Sequence, residues 1–198
     1  MKFPAFINDL LGGKRARVIG ERILPYLKNS KTIIDVGCGT GHVTAFLLEK
    51  NKDVVAVDIR NQSLAPNTKV VIYDGKRLPY KDKTFDTSLL ITVLHHTPSP
   101  LVVFSEAARV SKGDMVIIET TYKSFIGKIF IVLFDSLVGR QMKPYWGSYK
   151  TDAEWQHFFK QNGFKVVSTQ YHADKTFGIF YNHYVYHLKK DTSILARK

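Results

Sequence analysis

The sequence predicts an α/β protein built on a mostly parallel sheet with helices on both faces. Three observations carry this. Short runs rich in Val and Ile alternate along the chain with segments of helical periodicity, the pattern of strands joined by crossover helices. One of these runs, Ile33-Ile34-Asp35-Val36, leads directly into Gly37-Cys38-Gly39-Thr40-Gly41 and then into the helical stretch Val43–Leu48, a strand, a tight turn and a helix N-terminus in succession. Finally, the last two strand-like runs follow one another with no helix between them, which predicts an antiparallel hairpin closing the sheet.

Taken in order, helices are expected at about 3–11, 14–28, 41–50, 99–111, 125–138 and 152–162, and strands at about 31–36, 53–58, 69–73, 85–91, 114–119, 164–172 and 178–188. Phe3, Phe6, Ile7, Leu10 and Leu11 repeat at helical spacing, and Gly12-Gly13 is expected to end that first helix. Pro4, Asn8 and Asp9 break its apolar character, so no signal peptide is expected. Asn61–Asn67 is too short for a full helix, which makes the second crossover abbreviated. Thr151-Asp152-Ala153-Glu154 has the form of a capping box and starts a helix that carries Trp155, Phe158 and Phe159 inward. A short turn is expected between the last two strands.

The chain has 198 residues, of which 44% are hydrophobic and 23% charged, and a formal net charge of +12. Length and composition predict one domain over 1–198, with N-terminal helices over 1–30. A lone cysteine, Cys38, excludes an internal disulfide framework and suits a reducing, cytoplasmic setting. The positive charge suits anionic partners such as RNA or phospholipid headgroups, or equally a solvated lysine-rich surface, because the basic residues are dispersed.

Ligand chemistry is concentrated in the glycine turn. Glycines there allow a sharp turn and a close approach of ligand to main chain, beside the unpaired N–H groups of a helix N-terminus. A nicotinamide or flavin dinucleotide would require glycine at the sixth position from Gly37, and His42 stands there. The pattern is instead Asp-x-Gly-x-Gly-x-Gly. Asp58 ends the second strand seventeen residues after Gly41, where a carboxylate can accept from both hydroxyls of a ribose. Asp74-Gly75 follows the third strand, and Leu78-Pro79-Tyr80 precedes the fourth, Phe85–Ile91.

These motifs, in this order from Ile33 to Glu119, resemble the class I S-adenosylmethionine (SAM) methyltransferases, in particular the branch called type 11. The resemblance implies a Rossmann-like doubly wound sheet of seven strands in the order 3-2-1-4-5-7-6, with SAM as cofactor. It implies that Asp35, Gly37, Cys38, Gly39 and Gly41 hold the methionine part, that Asp58 meets the ribose and Asp74 the adenine amino group, with Ile59, Gly75 and Ile91 further cofactor contacts. Each acid also has a plainer reading: Asp35 as a turn cap, Asp58 as an ordinary strand-end acid, Asp74-Gly75 as a turn dipeptide.

Catalytic candidates are His95 and His96, after the fourth strand, where either could deprotonate or bind an acceptor hydroxyl or simply bond to backbone. Residues 120–150 form an expected helical insertion on the substrate side. Phe125–Phe134 is apolar nearly all round, so it must be buried or bound to something. Tyr122, Phe130, Tyr145, Trp146 and Tyr149 are the candidate acceptor contacts. Flanking Lys123, Lys128, Arg140 and Lys143 suggest peripheral contact with an anionic membrane. No metal site is expected, since no Cys/His cluster and no acidic cage is visible. Absence of an Asn/Asp-Pro-Pro-Tyr/Phe motif, a nucleophilic cysteine or a paired-glutamate loop leaves a small or amphiphilic acceptor, lipid- or quinone-like, as the expected substrate. An RNA methyltransferase and a non-catalytic SAM-binding module are the competing readings.

Overall fold

The computed structural model describes residues 5–138, 145–171 and 182–193, with side chains from Gly12 onward except at 137, 138 and 182. Helix α1 (Ala5–Ile23) runs into a 3-10 turn at Leu24–Leu27, followed by β1 (Thr32–Val36), α2 (His42–Glu49), β2 (Asp53–Asp58), β3 (Val70–Ile72) and β4 (Phe85–Ile91). Then come α3 (Pro100–Val110), β5 (Ser111–Thr121), α4 (Phe125–Val138), α5 (Asp152–Gln161), β6 (Phe164–Tyr171) and β7 (Asn182–Lys190). The strands form one sheet in the order β3-β2-β1-β4-β5-β7-β6, as the resemblance implied. The first five strands are parallel, and β7 lies antiparallel between β5 and β6.

Side-chain alternation along each strand divides the apolar residues between two cores. Ile34, Val36, Leu90, Ile117, Tyr186 and Leu188 face one side and meet Phe104 and Ala107 of α3 with Trp155 and Phe159 of α5. Ile33, Leu89, Val116, Ile118 and Val185 face the other and meet Ile19 and Ile23 of α1 with Phe46 and Leu47 of α2. Strands buried on both faces read as continuous apolar runs, which is why their spans were legible. The capping box forms as expected: Glu154 N donates to the Thr151 hydroxyl and Thr151 N to the Glu154 carboxylate. No helix separates β2 from β3.

Two expectations are corrected. Gly12-Gly13 does not end a helix; α1 continues through both. Their missing side chains let α1 lie on α2, since a Cβ at Gly12 would come within 3.2 Å of the His42 ring. Packing overrides the stop signal. Strand β5 is longer than expected, running Ser111–Thr121, because it pairs with β4 on one side and β7 on the other. Strand β6 ends at Tyr171 and β7 begins at Asn182, with Tyr171 opposite Tyr184, so the expected turn between them lies outside the described residues. The expected strand residues 172 and 178–181, the side chains of Phe3, Phe6, Ile7, Leu10 and Leu11, and Arg140 and Lys143 lie outside the described residues. Helix α4 is buried along one face and exposed along the other. Ile131 and Val132 are buried with Tyr149, while Phe125, Ile126, Phe130 and Leu133 are each more than half exposed. Among the described residues no helix is long and apolar enough to cross a membrane.

The α1–α2 contact supplies a test. A Cβ at Gly20 would sit 2.1 Å from the Phe46 ring, so Gly20→Ala forces the helices apart despite alanine's better helix propensity. We expect a net loss of about 1–2 kcal/mol, overpacking outweighing the propensity gain, read as a lower urea midpoint. Unchanged or increased stability would mean the two helices are not in this close contact.

Candidate functional site

Strand order reverses at β1, which has β2 on one side and β4 on the other. Loops leaving the carboxyl ends of such neighbours diverge and leave a crevice. Here it is a cavity of about 1260 Å³, walled by α1, by the loops after β1, β2, β3 and β4, and by Tyr145.

The turn after β1 forms its floor. Gly37, Gly39 and Gly41 adopt φ of +76°, +55° and +76°, left-handed values that β-carbons disfavour. Gly37 N and Cys38 N donate to Val57 O of β2 at 2.8 and 3.1 Å, which pins the turn to the neighbouring strand. Gly39 N donates to Asp58 Oδ2 at 2.8 Å. A Cβ at Gly39 would meet nothing within 4 Å, so this glycine keeps main chain bare toward the cavity. Gly41 is different: it caps α2, a Cβ there would lie 2.5 Å from Ser63 Oγ, and it does not line the cavity. Its role is the turn itself.

Two carboxylates face the floor. Asp35 is buried and accepts from the Thr44 hydroxyl at 2.6 Å. Burial, with the nearby Asp58 charge adding and the Thr44 bond opposing, pushes its pKa up to about 6. Asp58 is buried to 6% exposure beside the turn it holds. Negative charge gathered at a dry floor favours a cationic ligand group, and SAM carries both an ammonium and a sulfonium; the donor set and bare glycine turn fit it. Burial also pushes the Cys38 thiol up, with both acids adding, so Cys38 contributes backbone and bulk and no nucleophile. Ile59, Gly75 and Ile91 line the wall as expected. Asp74 lines it too, but is a fully exposed turn acid whose Oδ1 accepts from Lys76 N and Arg77 N at 2.8 Å each.

The loop after β4 carries features that the sequence did not reveal. Thr92 adopts φ +54°, an uncommon conformation for a β-branched residue, and its N donates to Ile118 O at 2.7 Å. Glu119, fully buried at the end of β5, accepts from Val93 N at 3.1 Å and Leu94 N at 2.7 Å, and contacts His95 Nδ1. One carboxylate thus braces the whole loop. His95 is buried and does not line the cavity. Burial opposes its charged form, yet Glu119 and Asp135 together hold its pKa above the ordinary value. His96 does line the cavity, and burial, with His95 and Arg15 adding, pulls its pKa down to about 3. It is a neutral hydrogen-bonding group and a weak base. Asp135, from α4, brings a carboxylate to the same place, so that ligand-type atoms of His95, His96 and Asp135 lie within 4.8 Å of one another. Sequence spacing does not bring these three together, because they come from segments forty residues apart.

Of the acceptor candidates, only Tyr145 reaches the cavity. Trp146 lines a smaller adjoining groove with Tyr145 and Pro98. Tyr149 is buried under α4 and donates to Asp135 Oδ2 at 2.9 Å. Tyr122 donates to Glu154 at 3.4 Å, and Lys128 sits over the rings of both Tyr122 and Trp146. Phe130 lies on the exposed face of α4. Apart from Tyr145, these side chains do not line the cavity, and the buried face of α4 packs on Tyr149.

Asp35 generates a pH prediction. Its raised pKa means the folded chain holds the proton more tightly than the unfolded chain. Stability from this group is therefore complete below about pH 4 and is lost as pH rises through about 6, by roughly 3 kcal/mol. Relative to Asp35→Asn, the ligand-free protein should lose that amount between pH 4 and 7 in denaturant titrations. Parallel stability profiles for the two proteins would refute the shift.

Residues 34–118 match the family model of a methyltransferase domain. A tRNA U34 carboxymethyltransferase of Nautilia profundicola is 28% identical over 134 residues, covering 60% of this chain and 45% of its own. A demethylmenaquinone methyltransferase of Bacillus licheniformis is 25% identical over 197 residues and 84% of each chain. The chain spans about half the length of the first curated relatives it matches. Among solved structures, the 1,6-didemethyltoxoflavin-N1-methyltransferase of Burkholderia thailandensis, bound to 1,6-didemethyltoxoflavin and S-adenosylhomocysteine, superposes with a TM-score of 0.66. It is 17% identical and the match covers 89% of this chain and 78% of that one, a likeness of fold. Motifs, strand order and the match agree: residues 34–118 match a methyltransferase domain, set on a sheet whose fold is like that of solved methyltransferases.

Proposed function

We propose that the chain transfers a methyl group from SAM to an apolar or amphiphilic acceptor, quinone- or lipid-like, that enters past Tyr145. The observation that carries the acceptor class is the exposed apolar face of Phe125, Ile126, Phe130 and Leu133 on α4, joined through the Phe125–Trp146 contact to the groove beside Tyr145, with Lys128 over the Trp146 ring. Lysine stems can lie along such a surface while their charges stay in water. In this reading the chain works in the cytoplasm, peripheral to an anionic membrane that dissolves the acceptor.

Bound at the floor, SAM supplies a methyl already activated by its cationic sulfur. The chain's own residues then hold and orient. Asp35 and the Gly37–Gly41 turn would take the amino-acid end, Asp58 the ribose, and Gly75 with Ile59 the flat base. His96, neutral and weakly basic, is suited to hydrogen-bond the acceptor and not to strip its proton. An acceptor whose nucleophile is ionised, or is an electron-rich carbon, suits it best. Positioning in a dry site is worth up to about 7–11 kcal/mol in ideal cases. The +12 charge and the tRNA-modifying relative support RNA as the second reading of the acceptor.

Calorimetry should find binding of SAM and none of NAD. Asp58→Ala should weaken SAM roughly 10- to 150-fold, the loss of charge-assisted hydrogen bonds worth about 1.5–3 kcal/mol, and Gly39→Val should abolish binding through its backbone and bulk. Wild-type affinity in either variant would reject the cradle.

The acceptor is tested separately. Labelled SAM incubated with cell extract should mark the lipid fraction, and the protein should float with anionic but not neutral vesicles. Label in RNA alone would install the second reading, and failure to float with anionic vesicles would remove the membrane.

A further inference from the structure

We propose that His95, His96 and Asp135 form a binding site for one divalent transition-metal ion of the zinc type, behind the wall of the cofactor cavity that His96 lines. The site lies beyond the methyltransferase reading and does not depend on which acceptor is used.

The distances favour an ion over a direct contact. His95 Nε2 and Asp135 Oδ2 are 3.8 Å apart, too far for a hydrogen bond. An ion about 2.1 Å from each atom would bridge that gap at an angle of roughly 130°. The third ligand, from His96, lies within 4.8 Å of the other two, so closing the shell requires a movement on the order of half an ångström against metal–ligand lengths of about 2.0–2.2 Å.

Both of these ligands are held by neighbouring groups, His95 from behind and Asp135 at its ligating oxygen. His95 Nδ1 is engaged by the buried Glu119 carboxylate, which turns Nε2 toward Asp135 and raises its basicity, the outer-shell arrangement usual for a metal-bound imidazole. Tyr149 donates to Asp135 Oδ2 at 2.9 Å and fixes that carboxylate. The His95 and Asp135 side chains are 1% and 17% exposed. Two imidazoles and one carboxylate suit zinc, cobalt, manganese or iron(II) and not magnesium or calcium, which prefer oxygen shells. Three protein ligands leave a position open, and His96 lines the cavity, so a small ligand there could reach the ion. The competing cation is Arg15 of α1, which lines the same cavity and acts electrostatically on all three residues.

The test uses the untagged full chain, stripped with chelator, without SAM or acceptor. Calorimetric titration should show one Zn2+ per chain, Co2+ should give a visible d–d band, and Mg2+ should do neither. Asp135→Asn, nearly isosteric, and His96→Ala should each weaken Zn2+ binding at least about 10-fold, with far-UV circular dichroism unchanged. Arg15→Gln should tighten it. Zn2+ should raise the melting temperature of the wild type and not of Asp135→Asn. No saturable one-to-one binding, or unchanged affinity in Asp135→Asn and His96→Ala, would overturn the site. Because SAM binding is measured apart, either outcome leaves the methyltransferase reading where its own experiment puts it.

Discussion

The hydrogen bond from Gly39 N to Asp58 joins the two halves of the cofactor floor, and most of the site's geometry depends on it. The turn after β1 must leave the sheet, reverse sharply and present bare main chain, which three left-handed glycines permit but do not by themselves fix. Asp58, at the end of the adjacent strand, fixes it, together with Val57 O, which receives Gly37 N and Cys38 N. The order β3-β2-β1-β4 makes this junction the place where loops diverge. Sheet topology, turn and acid therefore act as one constraint.

Much of this was readable in the chain because the physics is local. Strands buried on both faces must be apolar throughout, so β1, β2 and β4 announced themselves, and the capping box at Thr151–Glu154 is written in adjacent residues. Asp35, Gly39 and Asp58 were legible because their spacing follows from one strand-turn-helix unit and the next strand. What failed depended on distant partners. Gly12-Gly13 signals a helix end unless one knows that His42 lies against it. Tyr149 and Trp146 belong to an apolar segment, but which of its faces meets the cavity is decided by tertiary packing, and only Tyr145 reaches it.

Glu119 shows the same limit in sharper form. An acid at the end of a strand invites reading as another ligand contact, yet it accepts three donors from the β4 loop and does not line the cofactor cavity. A buried carboxylate with its donors supplied is stable, and stripped of them is costly. The carboxylate therefore holds Val93–His96 in one arrangement, and with it the strained Thr92. His95 and His96, adjacent in sequence, are consequently held in unlike surroundings: one enclosed between acids, the other pushed toward its neutral form at the cavity wall.

The position of β7 between β5 and β6 has a consequence for how the chain is made. Strand β5 pairs with β4 as soon as both exist, but its other edge waits for residues 182–190. About sixty residues separate the two strands, a wait of about 3–12 s at a synthesis rate of ~5–20 residues per second. Throughout that interval a long, flat edge rich in Val and Ile stands open, the kind of surface on which foreign strands pair. Tyr186 and Leu188 then enter a core that the earlier helices have already begun to enclose. Biosynthesis of this protein thus passes through a half-closed sheet, and a ribosome that stalls late in the chain would leave that edge for chaperones to cover.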